Sequence, residues 1–178
     1  MQKPIHRYGL HLRPMTGADL ERVRRWRNAP HVRREMDFRE HITPLMQAAW
    51  WRGLDPFKNF YWMIEVDGKA VGIVHAKDID WDLGVDEAGI FIGKREYLNG
   101  FVPVLAVLGM MDALFEVEGL KTLKAKVKAG APMILDFNRR LGYEVVGEEG
   151  GFLRLEVGRE RYFEVAEPMR RMAARMEI

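Results

Sequence analysis

The order of strand-like and helix-like patterns along this 178-residue chain predicts a mixed, mostly antiparallel sheet flanked by helices, an α/β or α+β fold in a single domain over residues 1–178. Three observations carry this. Apolar residues recur at helical spacing in well-capped segments, they alternate with polar residues in short runs between those segments, and no repeat, low-complexity tract or Pro/Gly/Ser linker divides the chain.

Residues 8–13 alternate apolar and polar side chains and read as a strand that ends at Pro14. Thr16 stands three residues before Asp19, the spacing of a capping box, and opens a helix that runs to Asn28 and stops before Pro30. Residues 41–53 form a second helical segment, with Thr43 as N-cap, Pro44 in the first position, Gly53 at the end and Leu45, Ala48, Ala49 and Trp50 as its buried face. Strands follow at 60–66, 71–78 and 87–92; the turn Asp67-Gly68-Lys69 joins the first two, so the three make an antiparallel meander. Val104, Val107, Leu108, Met111, Leu114 and Phe115 lie at helical spacing in 103–116, the central helix, which Gly119 closes. Then come a strand at 122–127, a helix at 132–141 stopped by Gly142, strands at 143–148, 152–157 and 161–165, and a charged helix at 167–176.

Composition narrows the function classes. With 48% hydrophobic residues the chain builds a real core, which excludes disorder. It has no cysteine, which excludes a thiol nucleophile, a disulfide framework and a Cys-ligated metal site. The start MQKPIHRYGLHLRP holds no signal-length apolar run and no stretch approaches 18 apolar residues, so the expectation is a cytoplasmic protein with no membrane contact. A net charge of +2 gives no footprint for nucleic acid, although Arg22, Arg24, Arg25, Arg27, Arg33 and Arg34 crowd one segment. His11, His31, His41 and His75 show no metal-ligand spacing, and no metal is expected.

The element order, with LHLRPMTGADLERVRRWRN near the start and FNRRLGYEVVGEE near the end, resembles the GNAT superfamily of acyl-CoA-dependent N-acetyltransferases over nearly the whole chain. WRNAPHVRREM followed by HITPLMQAAWW, and YWMIEVDGKAVGIVHAKDID followed by EAGIFIG, resemble the bacterial enzymes that acetylate UDP-4-amino-4,6-dideoxy sugars in pseudaminic acid synthesis; ribosomal-protein acetyltransferases share a looser version. The resemblance implies that a sugar amine attacks the thioester of acetyl-CoA directly, with CoA thiolate leaving. Such chemistry needs the amine to lose a proton, the oxyanion to be stabilised, and the CoA pyrophosphate to meet backbone N–H groups at a helix N-terminus.

The pyrophosphate requirement falls on Phe91, Ile92, Gly93, Lys94, Arg95, Asn99, Gly100, Phe101 and Val102, the strand end and loop before the central helix. The superfamily's small residues are only partly kept there: Val102 follows Gly100 where a second Gly is usual, and another register puts Phe101 and Pro103 in those places. Matching on Gly142-Tyr143 places Ala131 where an Asn usually contacts CoA, and Asn138 where a Tyr usually protonates the thiolate. Tyr143 is a substitute donor or a core residue. For the amine, Glu87 is the first candidate, because alternation puts it with Gly89 and Phe91 on one face, and Asp78 with Asp80 closes the preceding strand. Each is otherwise a solvated strand end, and Asp82 and Asp86 make that turn acidic in any case.

The subgroup motif assigns the acceptor to Arg27, Asn28, Arg33, Met36, His41, Gln47 (a His in the subgroup) and Trp50. Arg27 and Arg33 suit a nucleotide diphosphate through bidentate contacts, and Trp50, Trp51, Tyr61 or Trp62 suit a base or sugar face, although alternation sends Tyr61 and Trp62 to opposite faces. His75 reads as an ordinary strand histidine. The expected partner is a UDP-amino sugar, and Met110, Met111 and Phe115 serve either the core or a homodimer contact. Two other readings stay open, a protein N-terminal acetyltransferase and a catalytically weak binding domain.

Overall fold

The computed structural model describes residues 2–176. The first hairpin pairs β1 (Ile5–Arg7) with β2 (Leu10–Pro14) across Tyr8 and Gly9, whose φ values of 54° and 73° suit a primed two-residue turn. The strand expected at 8–13 thus begins two residues later, and β1 was too short to show a period. Thr16 and Asp19 form the expected cap: the Asp19 carboxylate accepts from the Thr16 N–H and hydroxyl, each at 3.0 Å, and from Arg13 at 2.7 and 2.8 Å. After a short 3-10 turn, α1 (Leu20–Asn28) runs to the break at Ala29, and Pro30 opens one further turn, α2 (Pro30–Arg33).

In α3 (Pro44–Gly53), Thr43 caps the Met46 N–H at 3.2 Å as expected, but the inward face differs. Leu45 is 80% exposed, Ala49 is exposed, and Gln47 is buried with Trp50 and Trp51 turned inward. These three share one face of the helix (i, i+3, i+4), and the two indoles displace the smaller Ala49 from the sheet. The Asn28 amide clamps this helix to α1, donating to Ile42 O at 2.9 Å and accepting from Ile42 N–H at 2.8 Å.

The meander consists of β3 (Phe60–Val66), β4 (Lys69–Asp80) and β5 (Val85–Ile92), all antiparallel. Then α4 (Val102–Glu116) crosses to β6 (Thr122–Lys128), which lies parallel to β5. After α5 (Pro132–Arg140), β7 (Glu144–Glu149) and β8 (Phe152–Gly158) complete one sheet in the order β1-β2-β3-β4-β5-β6-β8-β7. Both crossovers step the same way along the sheet, so right-handed connection puts α4 and α5 on the same face.

The strand expected at 161–165 is a helix, α6 (Arg159–Val165), followed by α7 (Glu167–Ala173). The five residues Arg-Tyr-Phe-Glu-Val carry strand-favouring side chains but are too few for periodicity to decide between the two states. Here Tyr162 and Ala166, four apart, are both buried, and Tyr162 stacks on Phe115 with ring centroids 5.2 Å apart. Met110, Met111 and Phe115 are at most 1% exposed, so they belong to the core between α4 and the sheet and offer no subunit contact.

Asp112 of α4 is fully buried and accepts four hydrogen bonds: from Arg7 at 2.7 Å, Tyr8 at 2.5 Å, Tyr162 at 2.9 Å and Arg170 at 2.8 Å. Glu116, one turn on, meets the same two arginines. One carboxylate thus fastens the first hairpin and the last two helices to the central helix.

Candidate active site

The site begins where two strands part. β5 and β6 are paired only at Val85–Thr122, Asp86–Leu123 and Glu87–Lys124, although β5 continues to Ile92 and β6 to Lys128. Beyond Glu87 the sheet opens into a notch edged by unpaired backbone N–H and C=O groups of 88–92 and 125–128. Such edges bind an extended chain carrying amides by supplying the missing ladder bonds.

The loop at the open end of the notch leads to the N-terminus of α4. The N–H groups of Asn99, Gly100 and Phe101 have no partner among the described residues, and a Cβ at Gly100 would meet nothing within 4 Å. Val102 is 8% exposed and turned into the core, so it does not crowd the outer side of the loop where the superfamily keeps a small residue. Pro103 removes one first-turn donor. Lys94 is half-buried and Arg95 exposed beside this loop, and Phe101 caps α4 with its ring 56% exposed. Asn138 is turned back on α5, donating to Ile134 O at 2.8 Å. Tyr143 is buried in the core, where burial first and Asp86 second push its hydroxyl well above the ordinary value.

The face covered by α1 and α3 carries the other candidates. Trp26 lies on Gly93, so close that a Cβ there would fall 2.0 Å from its Cδ2, and Phe91 lies 5.9 Å from the Arg27 guanidinium. Arg27 is half-buried and Arg33 partly so, and neither makes an ion pair or side-chain hydrogen bond among the described residues; burial holds Arg27 below its ordinary pKa. An aromatic row crosses the sheet toward the notch: Trp50 meets Tyr61 edge-on at 5.2 Å, and Tyr61 lies 5.4 Å from His75, which pairs with Gly89 on β5. Burial, then the charges of Asp78 and Glu87, raise Tyr61 to about 12. Trp62, on the opposite face, is core and donates to Lys3 O at 2.8 Å.

Glu87 stands at the vertex of the notch, 2.8 Å from Lys77 of β4 and 3.6 Å from Lys126 of β6. Burial pushes its carboxyl up, but the Lys77 hydrogen bond and the two lysine charges outweigh that and hold it below the ordinary value. Asp78 is exposed on a bulge, at φ 54°, away from the notch edge. Of the residues expected at the acceptor, Arg27, Trp50 and the buried Gln47 lie under or beside this row, whereas His41 is exposed and the Asn28 amide is spent on Ile42. Met36, partly buried, sits in the turn after α2, its N–H on Arg33 O at 3.3 Å.

Sequence reading missed two groups. His75 reads as ordinary until strand register shows it beside Tyr61 and over Gly89. Asp86 belongs to an acidic turn by position, yet is 2% exposed with both oxygens unpartnered, and burial first and Glu87 second raise it to about 8. Its alternation with Ala88 and Ile92, both core residues, was the available signal.

A parted parallel strand pair with free N–H donors before the next helix has the chemistry to receive an extended amide-bearing chain that ends in phosphates, as a CoA thioester does. A model of the GNAT acetyltransferase domain matches residues 9–144, and the chain belongs to that family; acetyl-CoA is its co-substrate. Solved structures agree on the fold. Apo FdhC, described as a nucleotide-linked sugar GNAT, has a TM-score of 0.80 at 17% identity, covering 98% of this chain and 99% of its own. The spermidine N-acetyltransferase of Vibrio cholerae, in complex with CoA and spermine, has a TM-score of 0.75 at 16% identity over 87% of this chain and 98% of its own. A domain from Methanocaldococcus jannaschii has a TM-score of 0.74 at 19% identity over 84% of this chain and 97% of its own. No curated protein matches the sequence. Among the described residues, no helix is long and apolar enough to cross a membrane.

Proposed function

We propose that this enzyme acetylates the amine of a nucleotide-linked amino sugar, of the UDP-4-amino-4,6-dideoxy type, in the cytoplasm. The observation that carries this reading is the pair of arginines without counter-ions, Arg27 half-buried beside the notch and Arg33 one short turn away. A buried guanidinium without a partner is costly, and a diphosphate supplies the bidentate acceptor it lacks. Trp50 and Tyr61 offer ring faces and edges alongside for the base or sugar. A polyamine brings further positive charges beyond the reacting amine and no anion for Arg27 and Arg33, which this face disfavours.

Acetyl-CoA fits the open strand edges of the notch and the donors of 99–101. In this reading Glu87 gives the incoming ammonium its counter-charge, and Asp78, exposed on its bulge away from the notch, contributes only long-range negative potential. With no cysteine in the chain, no acyl-cysteine forms and transfer to the amine is direct. The deciding experiment is turnover of acetyl-CoA with a UDP-4-amino-4,6-dideoxyhexose, spermidine and a peptide amine in parallel. The sugar nucleotide gives the highest kcat/KM; preference for spermidine or the peptide refutes the reading. Absence of any thermal shift with millimolar acetyl-CoA returns the chain to the weak-binder class.

A further inference from the structure

The vertex of the notch holds one more group of suitable chemistry. His75 sits on β4 opposite Gly89, two residues past the last β5 residue that pairs with β6. Its ring lies directly on that glycine: a Cβ there would come within 2.6 Å of Cε1 and 2.7 Å of Nε2. The missing side chain therefore brings the imidazole onto the strand that edges the notch, on the face where the acceptor approaches. Tyr61, itself braced by Trp50, fixes the ring from the other side. Neither ring nitrogen has a hydrogen-bond partner among the described residues, so one lone pair is free. The titratable and charged groups facing it are Lys77 on its own strand, Tyr61 on β3, Glu87 on β5 and Arg27 on α1. Burial first, then the charges of Lys77 and Arg27 against that of Glu87, bring the imidazole down to about 4, so it is an acceptor rather than a donor of positive charge at neutral pH.

We propose that His75 receives the attacking amine at the notch, accepting a hydrogen bond from its N–H and taking that proton as the C–N bond forms. The bound ammonium first releases one proton to solvent. The amine lone pair then makes the bond to the thioester carbon, a second N–H proton passes to the free imidazole nitrogen, the C–S bond breaks, and its electron pair leaves on the CoA sulfur. The imidazolium then returns its proton to solvent. What separates His75 from Glu87 is geometry: the Glu87 oxygens are engaged by Lys77 at 2.8 Å and Lys126 at 3.6 Å, whereas the imidazole lone pair is free. The nitrogen of the attacking amine becomes acidic enough for a weak base only as the C–N bond forms, and the Glu87 charge steadies the imidazolium while that exists. This assignment rests on the notch as the acetyl-CoA site and holds whichever amine is the acceptor.

The test compares wild type with His75→Gln and His75→Ala, using whichever of the UDP-amino sugar, spermidine or the peptide amine wild type turns over fastest. Both variants lose about 100-fold or more in kcat near pH 7, with KM for acetyl-CoA within threefold, and the loss narrows as pH rises and hydroxide substitutes for the base. Retention of kcat within threefold by His75→Gln, or an unchanged pH–rate profile, overturns the proposal. Preference of wild type for spermidine overturns only the acceptor assigned above. A second reading needs no turnover: the imidazole Cε1–H resonance missing from the His75→Gln spectrum must shift in wild type on saturation with acetyl-CoA, and a resonance that stays put refutes the placement.

Discussion

Replacing Asp112 with Ala removes a fully buried carboxylate from four donors, and the structure sets the size of the loss. Breaking a buried ion pair from one side costs about 3–5 kcal/mol. Two features place this case toward the lower end. The Arg7 and Arg170 side chains are 33% and 19% exposed, so they rehydrate in part, and both keep Glu116. Against that, the Tyr162 hydroxyl is fully buried and retains only a 3.4 Å contact with Leu108 O, and an unsatisfied buried hydroxyl costs about 1–3 kcal/mol. The expected loss is therefore about 3–4 kcal/mol, and about 2 kcal/mol for Asp112→Asn, which keeps one acceptor oxygen. With a urea slope of about 2 kcal/mol/M, the midpoint followed by tryptophan fluorescence falls by about 1.5–2 M for the Ala variant. Amide exchange should also rise first in α6 and α7, which the carboxylate fastens. A loss below about 1 kcal/mol for Asp112→Ala would show that the cluster only decorates packing already sufficient without it.

Asp86→Asn should stabilise the protein above about pH 5. The folded pKa lies near 8, above the ordinary value, so the native state favours the protonated form and wild type loses stability as pH rises from about 4 to about 8. The variant's advantage is up to several kcal/mol at pH 8 and vanishes near pH 4 in parallel thermal melts; identical pH dependence of the two proteins contradicts it. Arg27→Ala should raise KM for a sugar nucleotide about 10–100-fold, equivalent to about 1.5–3 kcal/mol for a charge-assisted contact, while KM for acetyl-CoA changes little; equal effects on both substrates would move Arg27 to the CoA side. Gly93→Ala drives a methyl into the Trp26 indole and should cost about 1–3 kcal/mol, read from the urea midpoint, with a loss under 0.5 kcal/mol ruling out the close packing.

Much of the fold was legible because local chemistry and global packing agree. Thr43-Pro44 capped its helix, Asp67-Gly68 turned the meander at φ 49° and 69°, and Gly142, at φ 91°, ended α5. Failures came where tertiary contacts overrode a local pattern. Residues 161–165 carry a strand's side chains but coil because Tyr162 reaches Asp112 and Phe115, contacts that lie about 50 residues away in sequence. α3 turns Gln47 inward, since the sheet takes the indoles that share its face. For the site, the Arg27 and Trp50 motif was readable as a linear pattern. The His75–Gly89 contact was not, because it depends on strand register between two segments that alternation alone leaves free to slide.

Among the described residues, three paired positions and the Gly84 carbonyl, which accepts from the Lys121 and Thr122 N–H groups, join the β5 side of the sheet to β6. Mechanically this is a seam, the place where the sheet is weakest against being pulled apart. With acetyl-CoA in the notch as proposed, a ligand along both open edges would stitch this seam, so that the co-substrate would also be a structural member. At a hundred times its dissociation constant such a ligand adds about 2.7 kcal/mol to the native state. Acetyl-CoA bound as proposed would therefore protect the chain against proteolysis of its opened state as well as serving the reaction.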